Sequence, residues 1–488
     1  MGVGVPLERI RACNGLQPNA SGDFVLYWMI AARRIGSNFG LERAVEWALR
    51  LGKPLLVLEA LRCDYPWASD RLHRFIIEGM ADNQRSLRGG RVGYFPFVER
   101  EQGEGRGLLE SLCERACLVV TDDFPCYFLP RMVVAAAEKV SVLMEAVDSN
   151  GILPMGQAGS VFQTAHSFRR FLQKELRGHL LRFPVEDPIA GNPLRAFTEL
   201  SSKIAVKWPA ADLSALVRSS GLKALPIDHT VTIAPRKGGS VAGRSALKAF
   251  VRGKLERYDK DRNEPGLEAT SGLSPYLHFG HVSPYQVFET IAGSQGWNPG
   301  RISPDNRGNR AGWWGMSPSA EAFLDQLITW RELGFNRCRF DPRYDRYESL
   351  PGWARETLEA RTSDRRDHLY PREAFESAAT HDPLWNAAQR QLLREGRIHN
   401  YMRMIWGKKI LEWSPGPREA LDTMVALNDK YALDGRDPNS TSGIFWVMGR
   451  YDRPWGPVRP IFGTVRYMSS RNTARKFDVK DYLRRYSQ

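Results

Sequence analysis

Short apolar runs alternate with segments of helical periodicity over the first 150 residues of the chain. The runs predict strands at residues 24–30, 54–60, 117–121 and 140–146, and the periodic segments predict helices at 42–51 and 131–139. Such alternation is typical of a parallel sheet with crossover helices. Neither G-x-G-x-x-G after a strand nor G-x-x-x-x-G-K is present, so the sequence does not favour a dinucleotide fingerprint or a P-loop.

The pattern changes after about residue 185. Pro/Gly-rich stretches at 182–194 and 226–243 precede a region of helical periodicity, with helices predicted at 242–258, 320–338, 383–396 and 402–413. Residues 293–319, rich in Gly, Asn, Pro and Ser, predict a long loop. We therefore expect a Rossmann-like α/β domain (1–185), an interdomain connection (186–241) and a larger all-α domain (242–488).

The net charge of the chain limits the kinds of partner that it is expected to bind. The 488 residues include 69 Lys and Arg against 55 Asp and Glu, a net charge of +14. Residues 388–488 hold 19 basic and 10 acidic side chains, a surplus of +9. A basic domain favours a polyanion such as nucleic acid, or an acidic membrane surface, although a solvated face that only keeps the protein soluble is an equal alternative. With no membrane-length apolar run, no secretory signal and only six cysteines, we expect a soluble, cytoplasmic protein without a metal site.

The segment TSGLSPYLHFG (270–280) is the first of three candidate clusters. Ser274 followed by Pro275 predicts an N-cap and a first helical turn. The hydroxyl and amide donors before it would suit a phosphate at a positive helix terminus. Taken alone, these residues are better explained by an ordinary capped helix.

Three tryptophans form the second cluster. Trp406 and Trp413 are seven residues apart and share a helix face, and Trp385 lies on the preceding predicted helix. Core packing is the default explanation for any one of them. A row of three could also carry an electron between a buried cofactor and the surface.

The third cluster, LNDKYALDGRDPN (427–439), predicts turns rather than a helix interior. Taken with TSGLSPYLHFGHVSP, LWNAAQ, YMRMIWGKKILEW and PIFGTVRYMS, it resembles the class II cyclobutane pyrimidine dimer photolyases of the photolyase/cryptochrome superfamily. The resemblance is strongest from about residue 265 to the end and weakest between residues 31 and 240.

This resemblance implies a bound FAD in the helical domain. The cofactor-binding residues that it implies are Thr270, Ser271, Leu273 and Ser274 around the phosphates, a buried Arg403–Asp434 ion pair beside the isoalloxazine, and Asn428 facing flavin N5. A buried Arg would offset the charge of a reduced flavin, and the Asp would keep that Arg paired. Trp406, Trp385 and Trp413 match the family's photoreduction chain, in order from flavin to surface.

The resemblance also implies the reaction and the partner. In this family blue light excites reduced flavin, an electron passes to a flipped-out pyrimidine dimer in UV-damaged DNA, and the cyclobutane ring opens without a general acid or nucleophile. Binding would ignore sequence and depend on phosphate contacts, and we expect a monomer. Trp330 and Trp446 correspond to aromatic walls of the lesion pocket, and Arg453 and Arg466 to DNA contacts.

Two departures from the family keep alternatives open. The family's FLEEL segment is FLDQL (323–327) here, so Gln326 replaces a glutamate that hydrogen-bonds the dimer. Residues 31–39, after the YWM of the N-terminal motif, also differ, and a deazaflavin-type antenna stays an open possibility. The alternatives are a cryptochrome-like photoreceptor, a photolyase for another lesion, and a nucleic-acid-binding protein without flavin. Arg403, Asp434 and Asn428 argue against the last.

Overall fold

The computed structural model describes residues 4–218 and 220–487, which form two compact units. The first unit comprises Met1–Gln157, Glu175–Ala249 and Gly272–Pro299, and the second comprises Ala158–Lys174, Phe250–Ser271 and Gly300–Gln488. Both units are built from discontinuous segments. The division of the chain at residues 185 and 242 therefore stays a prediction.

A six-stranded sheet is the centre of the first unit. The strands are β1 (Ile10–Ala12), β2 (Phe24–Met29), β3 (Leu55–Leu61), β4 (Gly93–Val98), β5 (Ala116–Asp122) and β6 (Met144–Val147). Their order is β1-β6-β5-β2-β3-β4, with β1 antiparallel to β6 and every other pair parallel. All six residues of central β2 are buried, which accounts for its unbroken apolar run. The predicted α/β architecture is confirmed.

The strand predicted at 140–146 begins too early, because residues 141 and 142 form a bend and the strand spans only Met144–Val147. Val140 and Val142 are nonetheless buried in the core, so that apolar run reflects burial rather than strand structure. Strand β4 was missed because it contains Pro96, and an edge strand tolerates a proline that a central strand would not.

Most of the remaining regular secondary structure consists of α-helices. They are α1 (Phe39–Leu51), α2 (Asp70–Leu87), α3 (Leu108–Cys113), α4 (Leu129–Ala137), α5 (Ala165–His179), α6 (Ser202–Lys207), α7 (Leu213–Leu216), α8 (Ser240–Gly253), α9 (Tyr258–Asp261), α10 (Ser274–His278), α11 (Pro284–Ser294), α12 (Pro318–Leu324), α13 (Arg331–Phe340), α14 (Gly352–Glu359), α15 (Arg372–Glu376), α16 (Pro383–Glu395), α17 (Asn400–Trp413), α18 (Pro417–Tyr431), α19 (Pro438–Val447), α20 (Ser470–Lys476) and α21 (Lys480–Arg485). Among the described residues, none of these helices combines the length and apolar character that a membrane span requires.

Two helix predictions need correction. The helix predicted at 242–258 ends at Gly253 and is followed by a short 3-10 turn. The helix predicted at 320–338 is interrupted by a π-helical segment, Asp325–Trp330, between α12 and α13. The predictions at 383–396 and 402–413 are confirmed by α16 and α17.

Candidate functional site

The π-helical segment Asp325–Trp330 carries two of the predicted site residues, Gln326 and Trp330, both half-buried. Asp325 at its start forms a two-point ion pair with Arg169 of α5, with N–O distances of 2.8 and 3.1 Å. The widened turn changes which side chains share a helix face, and such segments are frequent at functional sites. The interruption therefore sets the orientation of Gln326 and Trp330.

The aromatic side chains predicted as pocket walls are in contact with each other. The rings of Trp330 and Trp446 stack with centroids 4.8 Å apart and an angle of 20°. Gly334 permits this, because a Cβ there would lie 2.7 Å from the carbonyl oxygen of Pro438, at the start of the helix that carries Trp446. The pair forms one aromatic surface, so a base can stack on an outer face, or the rings must separate to admit it.

A buried lysine supports the helix that carries Trp446. Lys408 on α17 donates from Nζ to the carbonyl of Val447, 2.5 Å away, at the C-terminal turn of α19. A cation at this end of a helix is favourable because the last carbonyls lack partners. Burial lowers the pKa of Lys408 to about 7, Asp452 opposes that shift and Arg466 adds to it.

The predicted Arg403–Asp434 pair forms, with Arg403 Nη2 donating to Asp434 Oδ1 at 3.0 Å. The two side chains are 19% and 14% exposed, so the pair is largely rather than fully buried. Arg403 projects from the first turns of α17, and Asp434 lies in the turn after α18. A hydrogen bond from Leu433 N to the Gly396 carbonyl, 2.8 Å long, ties this turn to the segment before α17.

Asn428 lies inside helix α18, which corrects the prediction of turns for residues 427–439. The helix continues to Tyr431, and the turn forms only around Asp434 and Gly435. The Asn428 amide donates to Ser440 Oγ at 3.1 Å and to its neighbour Asp429 at 3.0 Å. The side chain is therefore held by α19 as well as by its own helix.

The three tryptophans form a contacting row within the second unit. The indole N–H of Trp385 donates to the backbone carbonyl of Trp406 at 2.9 Å, and the rings of Trp385 and Trp413 lie 6.0 Å apart. All three are buried. Trp413, expected at the surface end, is only 3% exposed and contacts the rings of Tyr370 and His381.

The residues predicted around the flavin phosphates belong to two units. Thr270 and Ser271 are part of the second unit, whereas Leu273 and Ser274 are part of the first. Helix α10 starts at Ser274, as predicted, but Ser274 is its first residue and not its N-cap. Leu273 occupies the cap position, and Ser274 and Pro275 are the first two helical residues.

Sequence reasoning missed His399, which directly precedes α17 and lies one helical turn before Arg403. It is 8% exposed, and neither ring nitrogen meets hydrogen-bond geometry, although an interaction with the Arg262 backbone partly offsets the effect of burial on its pKa. Burial lowers its pKa to about 4, so the ring is neutral at neutral pH. A buried polar group without a partner is unusual and indicates a missing ligand or a strained site. In the sequence, an isolated histidine gives no indication that it is buried without a hydrogen-bond partner.

The predicted DNA contacts Arg453 and Arg466 flank an exposed aromatic ring. Their guanidinium carbons lie 5.0 and 5.2 Å from the ring of Trp455. The loop is closed by a 2.8 Å hydrogen bond from Trp455 N to the Thr464 carbonyl. A basic loop with an exposed aromatic side chain suits a nucleic acid.

Comparison with curated proteins identifies the family. The chain is 37% identical to the deoxyribodipyrimidine photo-lyase of Methanothermobacter thermautotrophicus over 98% of both chains. It is 33% identical to the Arabidopsis thaliana protein of that name, over 94% of this chain and 88% of that one, and 31% identical to the Potorous tridactylus protein, over 95% and 81%. The chain belongs to the photolyase family. No family model matches it.

A solved structure agrees with this assignment at the level of fold. A class III photolyase from Agrobacterium tumefaciens matches 95% of this chain and 86% of its own, with a TM-score of 0.67 and 20% sequence identity. The predictions of a photolyase/cryptochrome fold and of a photo-lyase enzyme are confirmed. The narrower prediction of class II stays open.

Proposed function

We propose that this photolyase-family chain repairs cyclobutane pyrimidine dimers in DNA with blue light, using bound FAD. The observation that carries the proposal is the arrangement around α17. The Arg403–Asp434 pair and the row Trp406, Trp385 and Trp413 lie on or against one helix. Charge compensation for a reduced flavin and a path for its reduction are thus built into the same element.

The residues present fit a flavin. His399, with two unpartnered ring nitrogens in a buried position, has unused capacity for one donor and one acceptor beside Arg403. Arg403 would offset negative charge on the bound cofactor, and Asn428 would offer an amide to its ring. Thr270, Ser271, Leu273 and Ser274 are the proposed phosphate contacts. When bound and reduced, FAD would supply the light-excited electron that opens the dimer.

The tryptophan row would keep the cofactor reduced. Contacts such as the 6.0 Å ring separation of Trp385 and Trp413 allow short electron steps from Trp413 through Trp385 to Trp406. Their exclusion from water protects oxidised side chains from side reactions. Core packing alone would explain the burial of these rings, and photoreduction of the bound flavin separates the two explanations.

Lesion binding is proposed at the π-helical segment and the loop that carries Arg453 and Arg466. The stacked Trp330–Trp446 pair supplies an apolar face for a flipped-out dimer, and Gln326 supplies an amide for its bases. Extruding a damaged pair takes roughly a few kcal/mol. Arg453 and Arg466 would hold phosphates near the gap, independently of sequence.

A cryptochrome-like photoreceptor is the second candidate, and Gln326 favours it. A neutral amide can hydrogen-bond the lesion but cannot place a negative charge or exchange a proton beside it. We further propose membership of class II, a monomer, and a cytoplasmic location. A deazaflavin-type antenna in the first unit is proposed only as an addition to FAD.

The test uses purified protein, reduced under blue light, and an oligonucleotide with one thymine dimer. A dark control and a Gln326→Glu variant run in parallel. Dimer loss in the light alone supports the proposal and shows that Gln326 suffices. If the flavin photoreduces but the dimer survives in both proteins, the photoreceptor candidate replaces repair.

A further inference from the structure

A long loop, residues 300–317, is not used by the proposed repair site, yet it is firmly anchored. Gln173 of α5 accepts from Gly308 N at 2.7 Å and donates to the Asn309 carbonyl at 3.0 Å. The buried carboxylate of Glu321 accepts from the backbone of Gly312 and Met316. Connections longer than about 12–15 residues without secondary structure are usually functional when they are ordered.

Two arginines flank the anchored point of this loop. Arg307 and Arg310 are both exposed, and the Arg307 side chain is 85% exposed. The sole acidic residue of the loop is Asp305, which lies 3.3 Å from Arg307. An exposed pair of this kind contributes little, so both guanidinium groups are available to another anion.

Helix α5 adds a basic stripe beside the loop. His166, Arg170 and Lys174 are four residues apart in turn, share one face of the helix, and are all exposed. Gly308 has a φ of +86°, and a Cβ there would lie 2.7 Å from Arg170 Cγ and 3.1 Å from the His166 carbonyl. The loop therefore packs directly on this stripe. Arg170, Lys174, Arg307 and Arg310 together form what we call the basic patch.

The basic patch borders the π-helical segment. Arg169, the neighbour of Arg170 on α5, is the partner of Asp325, which directly precedes Gln326. Arg169 also contacts the Gly308 carbonyl at 3.5 Å. Arg169 thus links the basic patch to the π-helical segment, on which the lesion contact is proposed.

We propose that the basic patch binds phosphates of the DNA backbone next to the lesion. Four exposed cations with a single half-exposed carboxylate in the loop, Asp305, match a polyanion better than an acidic side chain of a protein partner. Arginine is suited to phosphate because its planar donors bind two oxygens and it is weakly hydrated. The location beside the lesion rests on the proposed function, whereas phosphate binding itself does not.

The test measures how affinity for DNA depends on salt. Binding of undamaged and dimer-containing duplexes is followed by fluorescence anisotropy between about 50 and 200 mM KCl for the wild type and the double variant Arg307→Ala/Arg310→Ala. Each lost phosphate contact lowers the slope of log K against log salt by roughly 0.9, so we expect a fall of about 1.8 on both duplexes. Arg170→Ala/Lys174→Ala provides the same test without changing the loop.

Two control variants test whether the change in salt dependence is specific to the arginines of the basic patch. Arg307→Lys/Arg310→Lys retains both charges and should retain most of the slope. Arg131→Ala/Lys139→Ala removes two exposed charges, one on α4 and one in the turn after it, and should leave the slope unchanged. An unchanged slope in both patch variants, or an equal fall in the α4 variant, overturns the proposal. If the slope falls as expected but the wild type repairs no dimer, the patch stands as a DNA contact and the repair function fails.

Discussion

Two buried polar groups, one in each unit, differ in how completely the protein satisfies them. In the first unit, Glu59 is fully buried and accepts from Arg33 at 3.0 Å, from Asn83 at 2.9 Å and from Tyr94 at 2.7 Å. In the second unit, His399 is nearly as buried but has no partner on either ring nitrogen. The Glu59 network is complete within the protein, whereas the environment of His399 is not.

This difference separates a structural network from a binding site. A satisfied buried ion pair contributes order, and its partners can all be found in the chain. A buried polar group without a partner destabilises the folded state, because it loses its hydrogen bonds to water and gains none in the protein. His399 lies one helical turn before Arg403, so a ligand at the start of α17 would satisfy it.

Breaking the complete network should have the largest effect. Glu59→Ala leaves Arg33 buried without its carboxylate, and we expect the free energy of unfolding of the first unit to fall by about 3–5 kcal/mol. Urea unfolding followed by fluorescence measures it. The matched control is Asp64→Ala, which removes the partner of half-exposed Arg62 and should change stability by less than about 1 kcal/mol. Equal losses would show that burial of the network is irrelevant.

Removing the cation at α17 should weaken the binding of the cofactor. Arg403→Met deletes a charge-assisted contact worth roughly 1.5–3 kcal/mol, which corresponds to about a 10- to 100-fold loss of FAD affinity. Titration of flavin-depleted protein with FAD measures this. Arg397→Met, which breaks the more exposed bridge to Glu268, is the control and should leave FAD affinity nearly unchanged. An unchanged FAD affinity in the Arg403 variant would show that the Arg403–Asp434 pair does not contribute to cofactor binding.

The titration of His399 should also make the stability of the protein depend on pH. The pKa of His399 is lowered to about 4 by burial, so the unfolded chain takes up its proton first as the pH falls. The stabilising contribution of the neutral ring is present above about pH 6.5 and is lost between there and about pH 4. His399→Gln should reduce the slope of stability against pH in this window by up to about 1.4 kcal/mol per pH unit. An unchanged slope would mean that His399 is accessible to protons in the folded state.

The smallest expected effect concerns Gln326. Gln326→Glu restores a charge at the lesion contact without changing side-chain size, and we expect the repair yield per photon to rise by a few-fold, equivalent to about 1 kcal/mol. Single-turnover repair under calibrated blue light measures it. Gln326→Met is the control, since it fills the same space without a hydrogen bond. A yield that is identical in all three proteins would show that position 326 does not contact the lesion.

Much of the fold could be predicted because local pattern and tertiary role coincide. Central strands such as β2 are apolar throughout, and helices α16 and α17 follow their periodicity closely. Strand β4 was missed because edge position, which sequence does not show, is what permits Pro96. The π-helical segment was missed for a similar reason, since its ion pair with Arg169 joins residues 156 positions apart.

The candidate site was predictable only in part. Motif resemblance predicts Arg403, Asp434 and the tryptophans, and the structure brings Arg403 to Asp434 and Trp385 into contact with both Trp413 and the backbone of Trp406. Neither the stacking of Trp330 on Trp446 nor the unsatisfied state of His399 follows from sequence, because both depend on how distant helices pack. Asn428 was assigned to a turn because the Asp-Gly and Pro-Asn signals lie only a few residues beyond it.

The most direct test of the account is dimer repair as a function of FAD occupancy. Flavin-depleted protein is reconstituted with graded amounts of FAD, reduced, and illuminated with an oligonucleotide that carries one thymine dimer. The account predicts that the repair rate rises in proportion to bound FAD and is zero in the dark. Intact dimers at full FAD occupancy under blue light would contradict it.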